Sequence, residues 1–255
     1  MDVRYRQVSK SFGSYEALAP LDLYIADGAF LALLGPSGCG KTTALRLLAG
    51  LERPSTGQIY IGDRDVTFMA TKDRDIAMVF QSYALYPHLK VVDNIGYPLR
   101  VRRVDPTERL RQVRKVAELL GLEDYLERRP GQLSGGQRQR VMAARALVQD
   151  APVLLLDEPL SGVDPASARL IEAVFRDLRA SGRTLLVASH DVESARSYDR
   201  VLCLNRRQVA FGDPATALAR DTLQATYGHE LIVLEDGRAV TVQHHEHGGE
   251  EGHVH

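Results

Sequence analysis

Eight consecutive residues, Gly35-Pro36-Ser37-Gly38-Cys39-Gly40-Lys41-Thr42, have the spacing of a phosphate cradle. Its glycines let the backbone curl so that successive N–H groups point inward, and a helix leaving at Thr42 adds partial positive charge at the same place. Lys41 can reach the β- and γ-phosphates of a nucleoside triphosphate, and the Thr42 hydroxyl suits a Mg²⁺ ligand. Thr43 belongs to the same set, while Cys39 serves through its backbone and its thiol is incidental. A second group, Val153-Leu154-Leu155-Leu156-Asp157-Glu158, sets two acids at the carboxyl end of an apolar run. Open α/β sheets bind ligands at that edge. Asp157 can hold Mg²⁺ through water, and Glu158 can polarise an attacking water. Alone, the pair reads equally well as two solvated acids ending a strand; the cradle upstream turns it towards phosphoanhydride hydrolysis.

A third group, Leu133-Ser134-Gly135-Gly136-Gln137, precedes a helix that carries Arg138 and Arg140 in its first turn. A serine, two glycines and a helix N-terminus make another anion-binding nest. One nucleotide does not need two cradles in one chain, so the economical reading gives the second to another subunit's nucleotide.

These groups need elements to hold them. Strand patterns cover Val3–Val8, Leu21–Ala26 and Ala29–Leu34, and a helix follows the cradle over Thr42–Leu48. Gln58–Ile61 and Ile76–Phe80 read as further strands. Residues 83–148 change character, with helical periodicity over Thr107–Leu120 and Gly136–Val148. Strand–helix alternation then resumes: Val153–Leu156 as a strand buried on both faces, helix Ala166–Arg179, strand Thr184–Ser189, helix Val192–Ser197 and strand Val201–Leu204. Such alternation predicts an α/β parallel sheet, with the helix-rich middle inserted into it.

With these groups in order the chain resembles the ABC ATPases over roughly residues 3–225, the Leu133–Gln137 segment matching that family's signature. The resemblance implies a P-loop NTPase of ABC type: a mixed, mostly parallel sheet core, an antiparallel β subdomain, and a helical subdomain at about 82–149 inserted within a domain spanning 1–230. It assigns Gln81 to the Q-loop, Ser161-Gly162-Val163-Asp164 to the D-loop and His190 to the switch histidine. Gly162 departs from the more usual alanine or asparagine there. Phe12 sits where the family stacks an aromatic on adenine, with Tyr15 a rival for that place. ATP and Mg²⁺ are the implied cofactors, with Thr42, Gln81 and Asp157 around the metal. Glu158, His190 and Gln81 would position the water. Two copies would pair head to tail, each ATP lying between one P-loop and the Ser134, Gly135, Gly136, Gln137 and Asp164 of the other.

The bulk composition excludes little of this. The chain has 255 residues, 44% apolar and 25% charged, with a net charge of −1. Near-neutral charge gives no footprint of nucleic acid, and none is expected as a partner. No apolar run approaches the roughly 18–20 residues that span a bilayer, so other chains must supply any membrane part. Two cysteines, Cys39 and Cys203, make no disulfide framework. The insertion resembles the subdomain that docks on membrane subunits, with Tyr83-Ala84-Leu85-Tyr86-Pro87-His88 and Val92-Asp93-Asn94-Ile95 like an importer's docking surface. The implied partners are transmembrane permease subunits and a solute-binding protein, at the cytoplasmic face of the membrane. The rival class is a soluble ABC ATPase such as the iron–sulfur assembly type.

The cargo divides the chain. Lys72-Asp73-Arg74-Asp75-Ile76-Ala77-Met78-Val79-Phe80-Gln81 resembles the ATPases of sugar importers, whereas the back half and its compact end resemble those of metal importers. Leu231–Leu234 and Ala239–Val242 flank Asp236-Gly237 as a short hairpin within 231–243. The tail, 244–255, carries His244, His245, His247, His253 and His255 among Glu246, Glu250 and Glu251. It reads as disordered, either a solubilising tail or one that binds Zn²⁺ or Ni²⁺.

Overall fold

In the computed structural model, residues 1–80 and 85–228 are described, with the backbone of Leu231–Val233 and Ala239–Thr241. The chain opens on an antiparallel hairpin, β1 (Val3–Phe12) and β2 (Tyr15–Ile25), then enters the core along β3 (Phe30–Leu34). Helix α1 (Lys41–Ala49) leaves the cradle; β4 (Thr56–Ile61) and β5 (Arg64–Asp65) return to the first sheet, and β6 (Ile76–Val79) to the core. The inserted helices are α2 (Val91–Val101), α3 (Pro106–Leu119) and α4 (Gly135–Leu147). The core resumes with β7 (Val153–Asp157), α5 (Pro165–Ala180), β8 (Thr184–Ser189), α6 (Val192–Ala195), β9 (Arg200–Asn205) and β10 (Arg207–Gly212). Two short helices follow, α7 (Pro214–Ala217) and α8 (Arg220–Tyr227), then β11 (Leu231–Val233) and β12 (Ala239–Thr241), paired antiparallel.

Two sheets result. The antiparallel one runs β2-β1-β4-β5. The core sheet runs β10-β9-β3-β8-β7-β6, parallel from β9 to β6 with β10 antiparallel at the edge. This is the mixed, mostly parallel core with an antiparallel sheet and inserted helices that the resemblance implied.

Burial on both faces explains the unbroken apolar strands. All five residues of β3 and all five of β7 are buried. Because side chains alternate, Val153 and Leu155 of β7 join the core shared with α1 and the antiparallel sheet. Leu154 and Leu156 join the opposite core with Phe30, Leu185 and Val187, where Ile95, Val113, Val141 and Phe175 of the helices pack. The inserted helices and the sheet therefore share one core.

The elements differ from expectation where tertiary context outweighs pattern. Helix α2 carries Pro98 inside it, which hides the helical signal. The hairpin β1–β2 runs to Phe12 and from Tyr15 through exposed polar residues, tightened by Gly13 at φ 59°. The stretch expected as helix Val192–Ser197 is a single turn, Val192–Ala195. Strand β10 and helices α7 and α8 were not anticipated; Ala217, Leu218, Leu223 and Tyr227 gather there against Ala32, Leu34 and Cys203.

Candidate functional site

The phosphate cradle is set by close approach. At Gly35 an added Cβ would lie 2.1 Å from the Leu204 carbonyl oxygen and 2.6 Å from Cys39 Sγ, so only glycine fits. Gly40, at φ 102°, caps α1 without a side chain, which leaves the first N–H groups of the helix to an incoming anion. Lys41 is only 7% exposed and closes the loop from inside. Its Nζ donates to the carbonyls of Gly35 at 2.6 Å and Pro36 at 3.0 Å. Ser37 and Gly38 form the exposed lip, and Thr43 sits half-buried behind Thr42.

The carboxylate edge meets the cradle directly. Thr42 Oγ1 donates to Asp157 Oδ1 at 3.0 Å, bringing together the two oxygens expected around Mg²⁺. Asp157 is buried, and that burial pushes its carboxyl above the usual carboxylate range against the opposing pull of the Thr42 hydrogen bond. A hard-oxygen pair in which a buried acid has, among the described residues, no ion-pair partner at bonding distance fits a divalent cation.

Next along the chain, Glu158 stands at φ 47°. Its N–H donates to the Ala188 carbonyl at 3.0 Å, and its own carbonyl accepts from Ser161 N–H at 3.1 Å. The Glu158 carboxylate lies 3.6 Å from His190 Nδ1. The imidazole holds the Glu158 carboxyl below its usual value, and the carboxylate raises His190 above its own. A cavity of about 270 Å³ opens beside them, lined also by Ser161, Gly162 and Tyr198.

Ser134 faces solvent and caps α4 in a capping box. Its Oγ accepts from Gln137 N–H at 3.3 Å, and Gln137 Oε1 accepts from Ser134 N–H at 2.8 Å. Gly135 follows as the first helical residue. Gly136 is buried against the D-loop: a Cβ there would lie 2.3 Å from Asp164 Oδ2 and 2.9 Å from Ser167 Oγ. Asp164 in turn caps α5, accepting from Ala166 N–H at 3.1 Å and Ser167 N–H at 2.9 Å. The signature nest and the D-loop acid thus form one unit.

Phe12 and Tyr15 face each other across the first hairpin and are 48% and 45% exposed. Each is overlaid by a cation: Lys10 Nζ at 4.6 Å from the Phe12 ring, and the Arg206 guanidinium at 5.1 Å from the Tyr15 ring. Arg206 N–H donates to the Cys39 carbonyl at 2.9 Å and its carbonyl accepts from Ala19 N–H at 2.7 Å, tying the hairpin strand to the cradle.

Gln81, with Tyr83 and Ala84 of the docking segment, lies outside the described residues, as do the tail histidines. Of Val92–Ile95, which resemble part of an importer's docking surface, half is core. Asn94 and Ile95 are buried, and only Asp93 is fully exposed. Asn94 Oδ1 accepts from Tyr86 N–H at 2.8 Å, while Nδ2 lies 3.1 Å from the carbonyls of Tyr86, Leu89 and Lys90. Backbone partners on both sides of its amide explain its burial.

Sequence reasoning also missed Arg74 and Gln139. Arg74 is buried and donates to the Leu47 and Leu48 carbonyls at 2.8 and 2.6 Å, holding the end of α1. Gln139 donates to the Pro159 carbonyl at 2.7 Å. A polar residue at an inward helical position was the signal available for Gln139.

A cradle, a carboxylate pair at the end of the central strands, and a second cradle facing outward define a P-loop ATPase whose helical insertion carries a separate anion nest. A family profile described as ABC transporter matches residues 18–161, more than half of the chain. The chain belongs to that family, as an ABC-type ATPase. It is 52% identical to the trehalose/maltose import ATP-binding protein MalK of Thermococcus litoralis, covering 92% of this chain and 68% of that one. It is 47% identical to the sn-glycerol-3-phosphate import ATP-binding protein UgpC 2 of Agrobacterium fabrum, over 80% of this chain and 55% of that one. It is 43% identical to the Fe(3+) ions import ATP-binding protein FbpC 1 of Rhizobium meliloti, over 94% of this chain and 71% of that one. Among solved structures, the dimeric cassette MJ0796 in a post-hydrolysis state with ADP and Pi superposes with TM-score 0.77 at 31% identity, covering 83% of this chain and 98% of that one.

Proposed function

We propose that the chain is the ATP-hydrolysing subunit of an ABC importer and works as a head-to-tail pair at the cytoplasmic face of a membrane. In this reading each ATP lies between the cradle of one copy and Ser134–Gln137 of the other. The observation that carries it is that the Ser134–Gln137 turn, capped within itself and exposed at Ser134, packs through Gly136 on Asp164 and Ser167, while Lys41, Thr42, Asp157 and Glu158 gather at the cradle. The MJ0796 structure is described as dimeric, and the relatives above are import ATP-binding proteins.

On nucleotide binding, Lys41 would exchange the Gly35 and Pro36 carbonyls for β- and γ-phosphate oxygens. Thr42 and Asp157 would hold Mg²⁺, which neutralises phosphate charge. Glu158, as carboxylate, would accept a proton from the water that attacks the γ-phosphorus, with His190 orienting it. Gln81 would reach the same water and metal from the end of β6. The adenine would stack on Phe12 or Tyr15. Catalysis of this type is chiefly positioning and electrostatics.

No helix among the described residues is long and apolar enough to cross a membrane, so the reading requires permease subunits, with a solute-binding protein delivering cargo. A cavity of about 600 Å³ between the inserted helices and α5 suits such a permease. Leu99, Val104, Val116 and Leu178 line it together with charged residues of both signs, among them Lys115 and Asp177. The cargo is a sugar-like solute or a metal ion, since relatives of both kinds match.

Mixing subunits tests the composite site. Ser134→Arg and Lys41→Ala chains, each inactive alone, should recover part of the ATPase activity when combined, because one interface then pairs an intact cradle with an intact nest. No recovery, with mixed dimers demonstrated, would return both motifs to a single chain's nucleotide.

A further inference from the structure

Gln139 is 2% exposed, in the second turn of α4, and belongs neither to the cradle nor to the nest. Its Nε2 donates 2.7 Å to the carbonyl of Pro159, the residue directly after Glu158. Glu158 itself adopts φ 47°, a left-handed conformation that a non-glycine residue keeps only when its surroundings impose it. The turn is held from three directions. Ala188 of β8 accepts from the Glu158 N–H, Ser161 donates to the Glu158 carbonyl, and Gln139 of α4 donates to Pro159. Of these three bonds, only the last comes from a side chain and from the inserted helices. The neighbouring Arg140 reaches the other way, its Nη1 donating 3.0 Å to the Leu120 carbonyl at the end of α3.

We propose that Gln139 is a positioning residue for catalysis: its buried amide fixes the Glu158-Pro159 turn so that the Glu158 carboxylate points towards His190. The helix that presents the nest to one nucleotide thereby sets the geometry of the general base that acts on the other. This rests on the reading of Glu158 as general base. The physical reason is direct. Without the amide, the Pro159 carbonyl is left unpaired in the interior, and the strained turn loses its tie to α4. A carboxylate displaced by about 1 Å costs on the order of 10²-fold in rate while leaving phosphate contacts in place.

The test uses the full chain, its steady-state MgATP hydrolysis, and ATP affinity measured separately with a fluorescent ATP analogue. Gln139→Leu keeps the bulk and removes the donor. It should lower kcat by about 10- to 100-fold and leave the dissociation constant for MgATP within about twofold, since Gln139 touches no phosphate contact. Gln139→Glu supplies a pH readout that a packing role would not give. Its protonated carboxyl donates to Pro159, whereas the carboxylate repels that carbonyl, so kcat relative to the wild type should climb as pH falls towards 6. On a Glu158→Gln background, Gln139→Leu should change the residual rate no further, because the group it positions is gone.

Equal kcat for wild type and Gln139→Leu overturns the proposal. So does a Gln139→Glu profile parallel to the wild type, an additive loss on the Glu158→Gln background, or a fall in ATP affinity matching the fall in kcat. Wild-type turnover by Glu158→Gln alone identifies a different failure, that of the general-base reading itself.

Discussion

In the proposed mechanism turnover depends on Glu158, and its neighbours determine what it can do. With His190 3.6 Å away and Lys41 in electrostatic range, its carboxyl is kept ionised and ready to accept a proton. Glu158→Gln preserves shape and removes that basicity. Hydrolysis should fall by about 10²–10⁴-fold with ATP binding retained, and size-exclusion chromatography with ATP should then show a persistent dimer. The same pair predicts a pH dependence in the nucleotide-free chain. His190 is raised, so its share of the stabilisation is full below its unfolded value near about 6.5 and is lost as pH rises through the folded value. Glu158 is lowered, so its share is present above about 4.3 and disappears as pH falls through its folded value. The pair therefore stabilises most between about pH 4.5 and 6.5. Comparing thermal unfolding of the wild type and His190→Ala across pH should show the largest gap in that window and a smaller one near about pH 8. At 45% exposure the histidine is partly screened, and the gap should shrink further with added salt.

At the scale of elements, single polar residues replace whole networks of contacts. Asn94 accepts from the Tyr86 N–H and lays its amide nitrogen among the carbonyls of the turn into α2, so Asn94→Ala leaves the Tyr86 N–H and the Leu89 carbonyl without this partner. The expected cost is about 1–3 kcal/mol of unfolding free energy, measurable by urea denaturation with an unchanged m-value. Such residues also mark the limit of what sequence could disclose. The cradle, the acid pair and the nest were legible because their chemistry requires particular residue types at fixed spacing. The central strands were legible because burial on both faces leaves unbroken apolar runs such as Val153–Leu156. Helix α2 was not, since Pro98 and Gly96 interrupt its pattern and its burial is settled by packing against α3 and α4. The burial of Asn94 was not legible because a polar side chain does not reveal whether its partners are water or backbone. Gln139 was hidden for the same reason, its partner lying 20 residues further along the chain. The resemblance put Phe12, with Tyr15 as its rival, at the place for an adenine, and the hairpin sets both rings on one face.

For the whole molecule, the proposed head-to-tail arrangement would make each catalytic centre a joint property of two chains, so activity should rise more steeply than linearly with protein concentration until pairs form. Gly136 packs against Asp164 with no room for a methyl group, so the nest and that acid are held together. A more general consequence follows from the core that the inserted helices share with the sheet through Leu154, Leu156, Phe30 and Val187. Although the chain enters and leaves that region as though it were a cassette, it is not one that can be excised or grafted. Removing it would strip one face of the sheet bare, and the helices taken alone would carry an apolar surface cut to fit strands left behind. An exchange of this segment between related ATPases should therefore succeed only when the residues of β7 and β8 beneath it travel with it.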